Sequence, residues 1–119
     1  MYFRGIGVPQ DYIKALDFFE KAAAQGHERA KDYIPRTYFA LGSHYFSEDA
    51  GERQDDQEAF KWFSKAAELG HAQSQYIVGL MYYFGEGIPK DESKGVQLIK
   101  QSAQNGFEEA RKVIYEYKL

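Results

Sequence analysis

At 119 residues the chain has room for one domain and not for two of ordinary size. Its 44% hydrophobic and 28% charged residues are those of a folded globular chain and exclude a disordered one, while a net charge of −3 gives no electrostatic basis for holding nucleic acid or an anionic membrane. There is no cysteine, which excludes disulfide and thiolate–metal chemistry and fits a cytoplasmic location. No apolar run approaches the roughly 18–20 residues of a spanning helix. The start, Met1-Tyr2-Phe3-Arg4-Gly5, lacks the basic and apolar regions of a signal peptide.

The first helical pattern covers residues 11–25. Ala15, Phe18, Phe19, Ala22 and Ala23 recur at i, i+3, i+4, i+7 and i+8, one stripe of a 3.6-residue helix. Asp11 stands where an N-cap carboxylate accepts orphan amide hydrogens, and Gly26 where a left-handed residue ends a helix. A second helix is expected over 27–47. Gly26 to Gly42 is 16 residues whereas the later Gly70 to Gly79 is nine, so this helix carries seven extra. Seven residues make two turns less about 20°, and the helix lengthens without rotating its buried face. Pro35 falls within the insertion and removes a backbone donor, which predicts a kink or break.

A third helix, 55–69, repeats the stripe as Ala59, Trp62, Phe63, Ala66 and Ala67, with Trp62 expected to be mostly buried. Asp55 and Glu58 have the spacing of a capping box. A fourth, 71–84, is apolar almost all round. The loop Gly85-Glu86-Gly87 follows, then a fifth helix over 91–105, opened by Asp91 and striped by Gly95, Leu98, Ile99, Ser102 and Ala103. The last, 107–118, carries Glu108, Glu109, Arg111, Lys112, Glu116 and Lys118, polar enough to cap a stack of helices.

These elements repeat. Met1 to Asp11 returns as Met81 to Asp91 at a constant offset of 80, and the closing glycines Gly26, Gly70 and Gly106 lie 44 and 36 residues apart. A period near 36 is one helical hairpin, helix A followed by helix B. The pattern resembles the Sel-1-like repeat family, α/α relatives of the tetratricopeptide repeats. The resemblance is carried by Gly79, Tyr82, Gly85, Gly87, Ile88, Asp91, Lys94 and Gly106. It returns in Gly5, Gly7, Val8, Asp11, Lys14, Ala15, Phe18 and Gly26. The middle repeat keeps Leu41, Gly42, Tyr45, Ala59, Trp62, Lys65, Ala66, Ala67 and Gly70 but lacks the glycine-rich loop. The resemblance implies an all-α superhelical solenoid of about three hairpins and six helices. Its repeats span 1–26, 27–70 and 71–106, with a terminal helix at 107–119. It also implies a scaffold for protein–protein contacts; some bacterial relatives are cysteine-rich and secreted, and this chain departs from that branch.

Chemical signatures are absent from the pattern. Gly85-Glu86-Gly87 lacks the third glycine, the lysine and the preceding strand of a phosphate loop. His27, His44 and His71 show no metal-ligand spacing, and His27 and His71 share a repeat position just after the closing glycine, which suits capping. Ser64, Ser93 and Ser102 sit in no nucleophile elbow. No catalytic residue, cofactor or metal is expected.

What remains is a surface. In 71–84, Ile77, Val78, Met81 and Tyr82 suit the paired helix B, which leaves Tyr76, Leu80 and Tyr83 on a second stripe. Their counterparts 37 residues earlier are Phe39, Ser43 and Phe46. In tetratricopeptide-like solenoids the A helices line the concave face, so this stripe is the expected partner-binding groove, flanked by Arg36, Gln73 and Lys112. The sequence thus reads as an adaptor for another protein or peptide. An inhibitor or immunity protein that neutralises a toxin is the alternative, and a hydrolase a more distant one. Met1 aligns with the middle of a helix A, so the first helix B lacks part of its cover. Self-association through that N-terminal edge is expected.

Overall fold

The computed structural model describes residues 9–46 and 56–119. They form α1 (Pro9–Ala24), α2 (Glu28–Phe46), α3 (Asp56–Glu68), α4 (Ala72–Phe84), α5 (Glu92–Gln104) and α6 (Glu108–Tyr117). No strand occurs among the described residues, and no helix end lies more than two residues from its expected place. Helices α2, α4 and α6 are A helices; α1, α3 and α5 are B helices. The closest pairings are α4 with α5 and α2 with α3, and the other neighbours in sequence join one pair to the next. None of the described helices is long and apolar enough to cross a membrane.

Helix ends follow from a few residues. Gly26, Gly70 and Gly106 all have positive φ (94°, 89° and 96°), and each is bracketed by backbone bonds of a Schellman type, as in His71 N to Ala66 O at 3.1 Å. Asp91 caps α5, its Oδ1 accepting from Lys94 N at 3.1 Å. Asp11 does not cap: α1 starts two residues earlier at Pro9, since proline suits a first turn, and Asp11 stands in that turn as an acidic residue favoured by the helix dipole. Asp55, and with it the expected capping box, lies outside the described residues. His71 caps α4, its Nδ1 accepting from Ser74 N at 3.3 Å.

The inserted residues lengthen the helix as expected. Helix α2 has 19 residues against 13 in α4. Of the kink or break expected at Pro35, the break does not occur: the helix continues through it. An interior proline costs a helix about 3 kcal/mol, and packing of α2 against both α1 and α3 opposes that cost. Close by, Thr37 is buried and donates its hydroxyl to Tyr33 O at 2.7 Å.

The core sits between the paired helices. Ala59, Phe63, Ala67, Val78 and Met81 form one buried cluster, with Phe39, Phe46, Tyr82 and Leu98 packed against it. The A and B helices touch where glycines permit. A Cβ on Gly42 would lie 2.6 Å from Phe63 Cδ1, and one on Gly79 would lie 2.9 Å from both Gly95 O and Ile99 Cγ1. Buried polar atoms tie successive helices. Ser102 Oγ donates to Ala72 O at 2.6 Å, and Gln75 Nε2 to Ala67 O at 3.2 Å.

Trp62 is mostly covered, as expected, with its Nε1 enclosed, but the deepest large residue of the α3 stripe is its neighbour Phe63, 1% exposed. The stripe is open on α1, where Phe18 is 68% exposed. At the other end of the stack Tyr115 of α6 is 87% exposed.

Phe63→Ala is expected to destabilise the chain by about 3–5 kcal/mol in urea unfolding, the usual cost of deleting an enclosed ring. Trp62→Ala should cost less, and the opposite order would place the stripe wrongly. A second expectation concerns pH. Burial first, and the Arg36 charge second, push the His71 imidazole below its ordinary 6.5. The unfolded chain therefore takes the proton more readily than the folded one. The cap's contribution is complete above about pH 7 and declines as pH falls through the folded value. Melting temperature should drop between about pH 7 and 5, and His71→Asn, which caps without titrating there, should remove that step.

Candidate partner-binding surface

The two turns of α4 that precede its C-terminal glycine present one face to α5 and another away from it. Val78, Gly79 and Met81 are buried. Tyr76, Leu80 and Tyr83 are half-buried on the side toward α6, with Tyr83 also lying against Gly95 of α5, and line a shared cleft of about 530 Å³ with Ile99 as an inner wall. Helix α6 supplies the opposite side through Val113 and Tyr117, and Phe84 and Leu119 close the ends. The cleft is largely apolar, with phenol groups at its margins. Tyr76 packs on Phe107 with ring centroids 5.2 Å apart. Burial, then the charge of Glu109 and the neighbouring Tyr117, hold the Tyr76 hydroxyl above the usual phenol range, so it stays a neutral hydrogen-bonding group.

The earlier half of the predicted stripe is arranged differently. Phe39 leans on Phe63 and on the His71 ring, at 5.6 and 5.1 Å, and Phe46 meets Phe63 edge-on at 6.2 Å. Their rings already have partners in the core, with Ser43 half-buried between them. Arg36 is exposed, its guanidinium 5.7 Å from the Tyr33 ring centroid. Gln73 and Lys112 are exposed on α4 and α6. The structure therefore gathers Tyr76, Leu80 and Tyr83 into a cleft and seats Phe39 and Phe46 on Phe63.

Sequence reasoning missed Phe84, Ile99, Val113, Tyr117 and Leu119. A signal for two of them was present: at the 36-residue offset Val113 and Tyr117 match Ile77 and Met81 of α4, apolar residues four apart. The polar character of the last helix hid it.

Elsewhere, candidate reactive groups have structural roles. The loop after α4 turns at Gly85 and Gly87, both with positive φ, and a Cβ on Gly87 would strike Asp56. Asp91 N closes that loop onto Tyr82 O at 2.8 Å. Ser102 is engaged with Ala72, and His71 with Ser74. Among the described residues no three His, Cys, Asp or Glu side chains are grouped as metal ligands.

The sequence pattern of the Sel1 repeat matches residues 1–27, 35–71 and 72–107. A Sel1 repeat protein from Oxalobacter formigenes shares the fold with a TM-score of 0.65 and 23% identity, over 89% of each chain. The cysteine-rich protein B of Helicobacter pylori does so with a TM-score of 0.53 and 21% identity, over 89% of this chain and 96% of that one. At such identities the likeness speaks for fold alone. The repeat matches, which cover most of the sequence, decide the matter: this chain belongs to the Sel1 repeat family, whose members generally serve as scaffolds for contacts between proteins.

Proposed function

We propose that this chain binds a partner protein in the cleft between α4 and α6, on the face formed by the A helices. The observation that carries the reading is the convergence of Tyr76, Leu80 and Tyr83 with Val113 and Tyr117 around one open apolar space. Phe84 and Tyr117 are exposed at its rim. Aromatic residues of this kind dominate binding energy because they bury large area with little loss of conformational freedom. A stripe at i, i+4 and i+7 suits an amphipathic helix or an apolar peptide segment. Whether the bound protein is a client held in an assembly or an enzyme held inactive depends on the partner and not on this surface.

The test is capture of interacting proteins from the source cell by the intact chain, with the leading partner then purified. Tyr83→Ala and Tyr117→Ala should each weaken that complex by at least about tenfold, the effect of an interfacial hot spot. Unchanged affinity in both would remove the cleft from the interface.

A second reading, self-association, is favoured by α1. Ile13 and Phe18 are exposed there, as is Tyr33 on α2, whereas the repeat counterparts of Phe18, Trp62 and Leu98, are half-buried. Exposed large apolar side chains of this sort favour association between copies. Sedimentation across a concentration series should show an oligomer that Phe18→Glu dissociates; a monomer throughout, or an oligomer indifferent to that substitution, would refute it.

A further inference from the structure

The B helices carry two grooves in succession, and their chemistry differs. The first, about 400 Å³, lies between α1 and α3 over α2. It is filled by a stack of Tyr38 on Trp62, ring centroids 5.9 Å apart, and Lys61 and Lys65 lie over the two rings. The second, about 570 Å³, lies between α3 and α5 over α4. At the matching positions it has Gln75 for Tyr38, Leu98 for Trp62, Gln101 for Lys65, Asn105 for Leu69 and Ser64 for Glu20. At these positions an aromatic, charged surface has become one of amides and a hydroxyl, with Glu68, Tyr82 and Lys94 beside them.

Those amides are held in place. Gln75 is 4% exposed, its Nε2 donating to Ala67 O and its Oε1 accepting from Asn105 Nδ2 at 2.9 Å. Asn105 is thereby anchored on one side while remaining exposed. On the facing wall, Ser64 Oγ is enclosed and has no hydrogen-bond partner among the described residues. The groove continues along α5 past Gln97. Gln97, Gln101 and Asn105 are four residues apart, so they form one row with steps of about 6 Å. An extended polypeptide presents main-chain groups to the same side every second residue, a step of about 6.6 Å. Each carboxamide offers one donor edge and one acceptor, the complement of a peptide N–H and C=O. Two such steps, from Gln97 to Gln101 and on to Asn105, span about five residues.

We infer that the groove between α3 and α5 binds an extended peptide of about five residues through its main chain, with a carboxylate-bearing end toward Lys94. Val78 and Leu98 receive the side chains that point inward, and their size favours small apolar ones. Lys94 lies at one end of the lining and Glu68 at the other, which orients the peptide. A sugar chain is disfavoured because it needs an open aromatic face. The Tyr82 ring is covered by Lys94 Nζ at 5.1 Å and met edge-on by Phe60 at 5.5 Å. This surface is separate from the α4–α6 cleft, and neither reading depends on the other.

The experiment is a titration of the ¹⁵N-labelled chain, followed by NMR, with an N-acetylated Ala-Ser-Ala-Ser-Ala peptide bearing a free carboxylate. Its C-terminal amide and maltopentaose are the comparison ligands. Saturable shifts are expected in the side-chain amides of Gln97, Gln101 and Asn105 with the free acid. Amidation should weaken binding several-fold, and Lys94→Gln should abolish that difference. Gln101→Lys and Asn105→Leu install the residues of the preceding groove, and each should weaken binding by about tenfold or more. Glu28→Gln, on the exposed start of α2, should leave it unchanged. Absence of saturable shifts, binding unaltered in Gln101→Lys, or preference for maltopentaose would overturn the peptide assignment. Equal affinity for acid and amide would overturn the role of Lys94.

Discussion

Two glycines bring helix A and helix B so close that neither position tolerates even one methyl group without something moving. At Gly42 the obstacle would be the Phe63 ring, and at Gly79 the backbone carbonyl of Gly95 and the side chain of Ile99. Interiors are packed at crystal-like density, so such a contact fixes distance and rotation together. Once α2 is set on α3 and α4 on α5, Val78 and Met81 lie in the core and Tyr76, Leu80 and Tyr83 border the space toward α6. The cleft beside α6 is a consequence of that rotation. So is the polar groove on the opposite side, whose floor is the edge of α4 between Gln75 and Tyr82.

The sequence was most legible where one residue type has one physical use. Glycines that recur 44 and then 36 residues apart mark helix ends because they adopt positive φ there without strain. Stripes of small and large apolar residues mark buried faces because the α-helical period leaves no other arrangement. Legibility failed where the outcome depends on neighbours. Pro35 weakens α2 locally, yet α2, packed against helices on both sides, continues through it. Trp62 and Phe63 are adjacent, and a stripe that includes both does not say which lies deeper; the approach of Gly42 selects Phe63.

The candidate surface was half legible for a related reason. Periodicity places Phe39, Ser43 and Phe46 in register with Tyr76, Leu80 and Tyr83, and they are in register. Register does not reveal what stands opposite. In the earlier repeat it is a phenyl ring, Phe63, with which both phenylalanines pack; in the later one it is the smaller Ile99, and the tyrosines line open space. One substitution on helix B thus changes the role of residues on helix A. The amide row on α5 was invisible as a site because glutamines on a helix read as solvated positions until Gln75 is seen to be enclosed and bonded to both neighbours.

The exposed Tyr115 also bears on how far such a stack can grow. It occupies in α6 the place of Gly42 in α2 and Gly79 in α4. A further B helix approaching α6 as α5 approaches α4 would meet a phenol where the earlier contacts allow no side chain at all. The same obstruction faces α1 of another copy, itself a B helix, if it tried to lengthen the superhelix end to end. Open-ended stacking of identical ends is how repeat proteins become fibres. Here a single bulky residue stands at the position where the earlier A helices carry no side chain.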